Sequence, residues 1–85
     1  MNVSYTPTFV RIYKTFPKEL QEEIKEKITL FQRDSKHPFL KTHKLKGALR
    51  GRWSFSVNFE YRIVFVYASS DEAVFLVCGD HGVYT

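Results

Sequence analysis

The sequence has little of what extracellular, membrane or metal-binding proteins depend on. It holds a single cysteine, Cys78, so it can form neither an internal disulfide nor a cysteine-based zinc site. Its three histidines lack metal-ligand spacing, and we expect no metal and no other cofactor. No apolar run approaches the roughly 18 residues of a membrane span, and the N-terminus shows no signal-peptide pattern. We therefore predict a cytoplasmic protein that does not bind membranes.

The length leaves room for one domain, which we place at residues 1–85. A disordered chain is excluded, because 8 Phe, 5 Tyr and 1 Trp supply enough apolar surface to drive collapse.

The net charge of +4 is concentrated in one segment. Residues 33–52 hold seven cations and one acid, a sum of 7 − 1 = +6, so the rest of the chain sums to −2. Such a patch favours a polyanion such as nucleic acid. The alternative is a solvated loop whose lysines have no ligand. The seven cations are Arg33, Lys36, Lys41, Lys44, Lys46, Arg50 and Arg52.

The first half of the chain predicts a short strand and a helical hairpin. Residues 2–6 alternate weakly, and Thr6-Pro7 is typical of a helix start, with the hydroxyl as N-cap and proline at the first helical position. Pro17 ends that pattern and begins a second helix that extends to about Asp34. An apolar stripe indicates one buried face of this second helix; it consists of Leu20, Ile24, Ile28 and Phe31.

The second half predicts three strands, at residues 53–59, 61–67 and 73–78, with a turn at 69–72. The fold class is therefore α+β: a short N-terminal strand, a helical hairpin and a curved antiparallel sheet, in the order β-α-α-β-β-β. We expect the helices to cover the face bearing Trp53, Phe55, Val57 and Phe59. The face bearing Ser54, Ser56 and Asn58 would then be open to a polyanion.

Arg62 lies in the most apolar strand, where its charge needs a partner. It pairs either with Glu60 or Asp80 or with a phosphate, which matches the guanidinium fork. His43 and His81 can exchange protons near neutral pH and would suit acid–base cleavage of a phosphodiester. A single histidine is more often a surface or structural residue, but two of them with an arginine and a basic segment favour the functional role. His37 is interpreted as incidental. Tyr84 either stacks on a base or covers the edge of the core.

Four segments in order resemble the RelE/ParE toxin superfamily of type II toxin–antitoxin systems. They are residues 43–47 (HKLKG), 53–57 (WSFSV), 61–65 (YRIVF) and 79–84 (GDHGVY). The resemblance implies a strand, a helical hairpin and an antiparallel sheet, in agreement with the prediction from the residues. It also implies a metal-independent endoribonuclease that enters the ribosomal A site, where the ribose 2′-hydroxyl of messenger RNA attacks the adjacent phosphate.

The resemblance implies a role for each matching residue. Arg62 would stabilise the pentacoordinate phosphate, His43 and His81 would transfer protons, and Tyr84 would orient the nucleotide. The YoeB-like branch has a catalytic glutamate near residues 44–49, and this sequence has no acid there. The residues that would bind ribosomal and messenger RNA are Lys41, Lys44, Lys46, Arg50 and Arg52.

Two other functions remain open within the same superfamily. A ParE-like toxin would inhibit DNA gyrase without nuclease chemistry, and an inactive member would act only with its antitoxin. The two histidines favour the nuclease. Each toxin function implies a cognate antitoxin that supplies carboxylates to the basic segment.

Overall fold

The computed structural model describes residues 1–84, apart from the side chains of His81 and Tyr84. This part of the chain contains two α-helices, five strands and three short 3₁₀ turns. The strands are β1 (Asn2–Tyr5), β2 (His43–Lys44), β3 (Trp53–Ser56), β4 (Arg62–Ser69) and β5 (Glu72–Gly79). The helices are α1 (Pro7–Thr15) and α2 (Lys18–Arg33). Within this part of the chain, no helix is long and apolar enough to cross a membrane.

The strands form one mixed sheet in the order β1-β5-β4-β3-β2. The pairs β2–β3, β3–β4 and β4–β5 are antiparallel. Strand β1 pairs with β5 in parallel and forms one edge of the sheet. This arrangement confirms the predicted fold class. The parallel pairing of β1 and the two-residue strand β2 were not predicted, because both depend on contacts distant in sequence.

Thr6 fixes the start of α1 and ties it to the sheet. Its hydroxyl accepts a hydrogen bond from the Phe9 amide at 3.0 Å, as an N-cap residue does. The same hydroxyl donates to the carbonyl of Leu76 on β5 at 2.8 Å. The predicted helix start is therefore confirmed, and so is the second helix, which has Pro17 and Asp34 as its capping residues.

The core is a cluster of aromatic rings between α2 and the inner face of the sheet. Phe31 projects from α2 and stacks on Phe55 at 4.8 Å between ring centroids. It also meets Phe65 and Phe75 edge-on, at 5.0 and 5.4 Å. All four rings are fully buried. Burial also raises the pKa of the neighbouring Cys78 thiol to about 12, which keeps it protonated near neutral pH.

Two expectations about the faces of the sheet were wrong. Phe59 was expected beneath the helices but is 98% exposed, because β3 ends at Ser56 and Phe59 lies in the turn that follows. Ser54 was expected on an open face but is fully buried, since its small side chain lies between larger neighbours on the same face, His43 on β2 and Val64 on β4.

We predict that Phe31→Ala lowers the free energy of unfolding by about 3–5 kcal/mol, because it empties the centre of the aromatic cluster. Urea denaturation followed by Trp53 fluorescence measures the loss. Phe59→Ala is the matched control and should change stability by less than about 0.5 kcal/mol, since that ring is exposed. Equal losses in the two variants would contradict this description of the core.

Candidate functional site

A groove of about 590 Å³ lies beside the second half of β3, between α2 and the turn that joins β3 to β4. Among the residues described, β2 pairs only with Trp53 and Ser54, so this part of the β3 edge is open. Polar and charged groups of α2, β3, β4 and two connecting turns meet there. The lining residues are Glu23, Lys27, Pro38, Phe39, Lys41, Ser56, Val57, Asn58, Phe59 and Arg62.

Arg62 contributes a half-buried guanidinium to the groove. It is the first residue of β4 and lies opposite Ser56 on one side and Gly79 on the other. Its Nη1 donates to the Ser56 hydroxyl at 3.4 Å. Direct partners across antiparallel strands share a face, so Arg62 lies with Ser56 on the outer face of the sheet, and it lines the groove at the open edge of β3.

The sign of the charge in the groove suits an anion. Among the described residues that line the groove, there are three cations, Lys27, Lys41 and Arg62, and one carboxylate, that of Glu23. The Glu23 carboxylate accepts a hydrogen bond from the side-chain amide of Asn58 at 3.2 Å. A phosphate between these cations would gain charge-assisted hydrogen bonds, and the fork of Arg62 can bind two of its oxygens.

The C-terminal 3₁₀ turn (His81–Tyr84) begins close to Arg62, because Gly79 is the β5 partner of Arg62. The Asp80 carboxylate caps the turn by accepting from the Gly82 amide at 2.9 Å. Gly79 has no side chain, and a Cβ there would lie 2.5 Å from Cγ1 of Val83. Val83 therefore packs on the backbone of Gly79 and holds the turn against the outer face of the sheet.

The side chains of His81 and Tyr84, both predicted to be catalytic, lie outside the described residues. Their backbone belongs to the C-terminal turn, which contacts both β4 and β5. The structure thus brings this segment of the chain beside the strand that carries Arg62.

His43 occupies the exposed edge strand β2. Its Nδ1 lies 2.8 Å from the carbonyl of Lys41. A carbonyl only accepts, so we assign the proton to Nδ1, and the neutral ring then carries its lone pair on Nε2. His43 is not among the groove-lining residues, and ordinary strand spacings place its Cα about 12 Å from that of Arg62.

The predicted RNA-binding cations are all exposed, but the structure divides them. Lys41 lines the groove, in a left-handed conformation with φ 51°. Lys44 on β2 lies over the Trp53 ring, with Nζ 5.7 Å from the ring centroid. Lys46, Arg50 and Arg52 follow in the connection from β2 to β3 and do not line the groove.

His37, interpreted as incidental, has a local structural contact. Its Nδ1 accepts from the Phe39 amide at 3.1 Å and caps the 3₁₀ turn Pro38–Leu40. Among the residues searched, no group of three or more His, Cys, Asp or Glu side chains is placed to hold a metal ion.

Sequence reasoning missed three groups that line the groove, namely Lys27, Phe39 and Phe59. Lys27 was interpreted only as a surface charge, and nothing local in the sequence places it near Arg62. Ser56 and Asn58 had been expected on the face open to a polyanion, and both line the groove. The turn at Asn58 was not predicted, although asparagine often accepts from the backbone two residues on and ends a strand.

Neither a family profile nor a curated protein sequence matches the chain. Solved structures do. A YoeB/ParE toxin from Agrobacterium tumefaciens is 24% identical, with a TM-score of 0.77 over 95% of this chain and 99% of its own. A chain of the YoeB-YefM complex from Staphylococcus aureus is 26% identical, with a TM-score of 0.76 over 95% of this chain and 97% of its own. YafQ from E. coli strain BL21(DE3) is 16% identical, with a TM-score of 0.77 over 96% of this chain and 94% of its own.

These likenesses extend over almost the full length of each chain. They confirm the resemblance to the RelE/ParE toxin superfamily that the four sequence segments indicated.

We predict that Gly79→Ala destabilises the protein by about 1–3 kcal/mol, because the new methyl group overlaps Val83 and displaces the C-terminal turn. Gly79 has a negative or extended φ, so alanine adds no backbone strain of its own. Adding Val83→Ala removes the clashing methyl and should restore part of the loss. Thermal unfolding of the two single variants and the double variant measures this coupling, and strictly additive losses would contradict the packing.

Proposed function

We propose that this chain, which has the fold of the RelE/ParE toxin superfamily, is the toxin of a type II toxin–antitoxin system and cleaves messenger RNA in the ribosomal A site. It would act in the cytoplasm, where its substrate and the ribosome are found. The observation that carries the proposal is the position of Arg62. Its guanidinium lies in a groove with two lysines, on the strand contacted by the C-terminal turn.

In the proposed reaction, a base removes the proton of a ribose 2′-hydroxyl, and the oxygen attacks the adjacent phosphate. The bond to the 5′-oxygen of the next nucleotide breaks, and an acid protonates that oxygen. The products are a 2′,3′-cyclic phosphate and a 5′-hydroxyl. No metal takes part in this scheme.

Each candidate residue has a role that its chemistry suits. Arg62 stabilises the extra negative charge on the pentacoordinate phosphate. His43 and His81 are the proton-transfer groups, and the Nε2 lone pair of His43, fixed by the bond from Nδ1 to Lys41, suits a base. Tyr84 orients the nucleotide. Lys41, Lys44, Lys46, Arg50 and Arg52 bind ribosomal and messenger RNA through phosphate contacts.

We predict that Arg62→Ala slows messenger RNA cleavage in a purified translation reaction by at least about 100-fold, because the phosphate loses its charged donors. Arg62→Lys keeps the charge but not the guanidinium fork, and its cleavage rate should lie between those of Arg62→Ala and the original protein. Arg11→Ala is the matched control, since Arg11 is an exposed cation on α1, and it should cleave at the original rate.

Full cleavage by a folded Arg62→Ala variant would contradict the proposed mechanism. If the unaltered protein blocks DNA supercoiling by gyrase and leaves translation intact, the ParE-like function replaces the nuclease. If it affects neither process, the chain is an inactive member of the superfamily.

We further propose an acidic antitoxin as protein partner, because the exposed cations of residues 41–52 have the charge to bind one. The S. aureus relative is a complex of YoeB with YefM. Replacing Lys46, Arg50 and Arg52 by alanine should weaken the complex with the antitoxin at least about tenfold, and its dissociation constant should become less sensitive to salt. Calorimetry at two salt concentrations measures both effects, and unchanged affinity would exclude this surface.

A further inference from the structure

Two large aromatic side chains are exposed at the Arg62 groove. Phe59 is 98% exposed and Phe39 is 73% exposed, and both line the groove. Exposing a phenylalanine ring to water forgoes the free energy that its burial would supply. Two such rings beside one charged groove indicate a ligand with flat apolar surfaces.

The turn that carries Phe59 is held rigidly from within. The Val57 amide donates to the carbonyl of Tyr61 at 2.9 Å. The Asn58 side-chain oxygen accepts from the amides of Glu60 and Tyr61, at 2.9 and 2.8 Å. The turn therefore fixes the backbone of Phe59, and a ligand that contacts the ring need not order the backbone first.

The Phe39 backbone is held in a comparable way in the 3₁₀ turn that follows α2. Its amide donates to Nδ1 of His37, and its ring meets the His37 ring edge-on at 4.8 Å. Lys41 then closes the 3₁₀ turn, donating its amide to the carbonyl of Pro38 at 3.3 Å.

The charges around the two rings distinguish between possible ligands. Among the described residues that line the groove, Lys27, Lys41 and Arg62 outnumber the one carboxylate, that of Glu23, so the ligand should be anionic as well as flat and apolar. An apolar protein segment would have to desolvate these cations without offering them an anionic group. A single-stranded nucleic acid supplies both kinds of group, since its bases stack on aromatic rings while its phosphates meet cations.

We propose that Phe59 and Phe39 stack on the bases of a single-stranded RNA whose phosphates lie against Lys27, Lys41 and Arg62. The inference rests on the proposed function and adds the contacts that would hold the nucleotides next to the phosphate. Stacking on either ring requires no particular base, so these contacts position the strand and do not read its sequence.

The test measures binding separately from cleavage. Fluorescence anisotropy of a labelled, fully 2′-O-methylated octanucleotide reports affinity, because this probe lacks the attacking hydroxyl. Phe59→Ala should weaken binding by about 5- to 100-fold, as expected for one lost base stack. Phe59→Tyr should bind within about twofold of the original protein, whereas Phe59→Leu should resemble Phe59→Ala. Phe39→Ala should behave like Phe59→Ala.

Tyr5→Ala is the matched control, because Tyr5 is 46% exposed but lies on β1, at the opposite edge of the sheet from β2. It should leave affinity unchanged. A probe with abasic sites completes the test: Phe59→Ala should have no effect on its binding, because only phosphates remain to be contacted.

Three results would overturn the inference. They are an unchanged affinity in both alanine variants, an equal loss with the normal and abasic probes, or no binding of the octanucleotide by the original protein at 50 mM salt. The proposed function is tested separately. If the protein cleaves messenger RNA equally well without the two rings, the stacking inference is wrong and the proposed nuclease stands. If the rings are needed for RNA binding but the protein cleaves no message, the proposed nuclease is wrong and the stacking inference stands.

Discussion

The strand register around Arg62 is the constraint on which the rest of the site depends. Its pairing with Ser56 on β3 and Gly79 on β5 puts the guanidinium on the outer face at the end of the sheet. There the open edge of β3 forms a groove, and the last residue of β5 leads into the C-terminal turn. A shift of the β4 register by one residue would turn Arg62 toward the aromatic cluster, where burying its charge would be unfavourable. The aromatic core is thus what keeps the register, and with it the site.

Sequence reasoning succeeded where structure is determined locally. Thr6, Pro7 and Pro17 marked the helix boundaries because capping and proline geometry involve only neighbouring residues. It failed where a pattern continued past the end of its element. Phe59 extends the alternation of β3, yet Asn58 turns the chain and leaves the ring in solvent. The parallel pairing of β1 with β5 joins opposite ends of the chain, and no local pattern encodes it.

The same distinction applies to the site. Arg62 could be singled out because a charge within an apolar strand is unusual in any fold. Lys27 and Glu23 could not, since the exposed face of α2 carries many similar charges and only tertiary packing brings these two to the groove. The continuous basic segment of the sequence is likewise divided in three dimensions. Lys41 lines the groove, while Lys44 on β2 lies over the ring of Trp53 on β3.

The central claim is that the Arg62 groove cleaves messenger RNA on the ribosome without a metal. Mapping the ends of a translated message, with and without ribosomes, tests it most directly. The account predicts cuts within codons in the A site, with 2′,3′-cyclic phosphate and 5′-hydroxyl ends, and none in the free message. Intact message on arrested ribosomes, or ends bearing a 5′-phosphate, would contradict it.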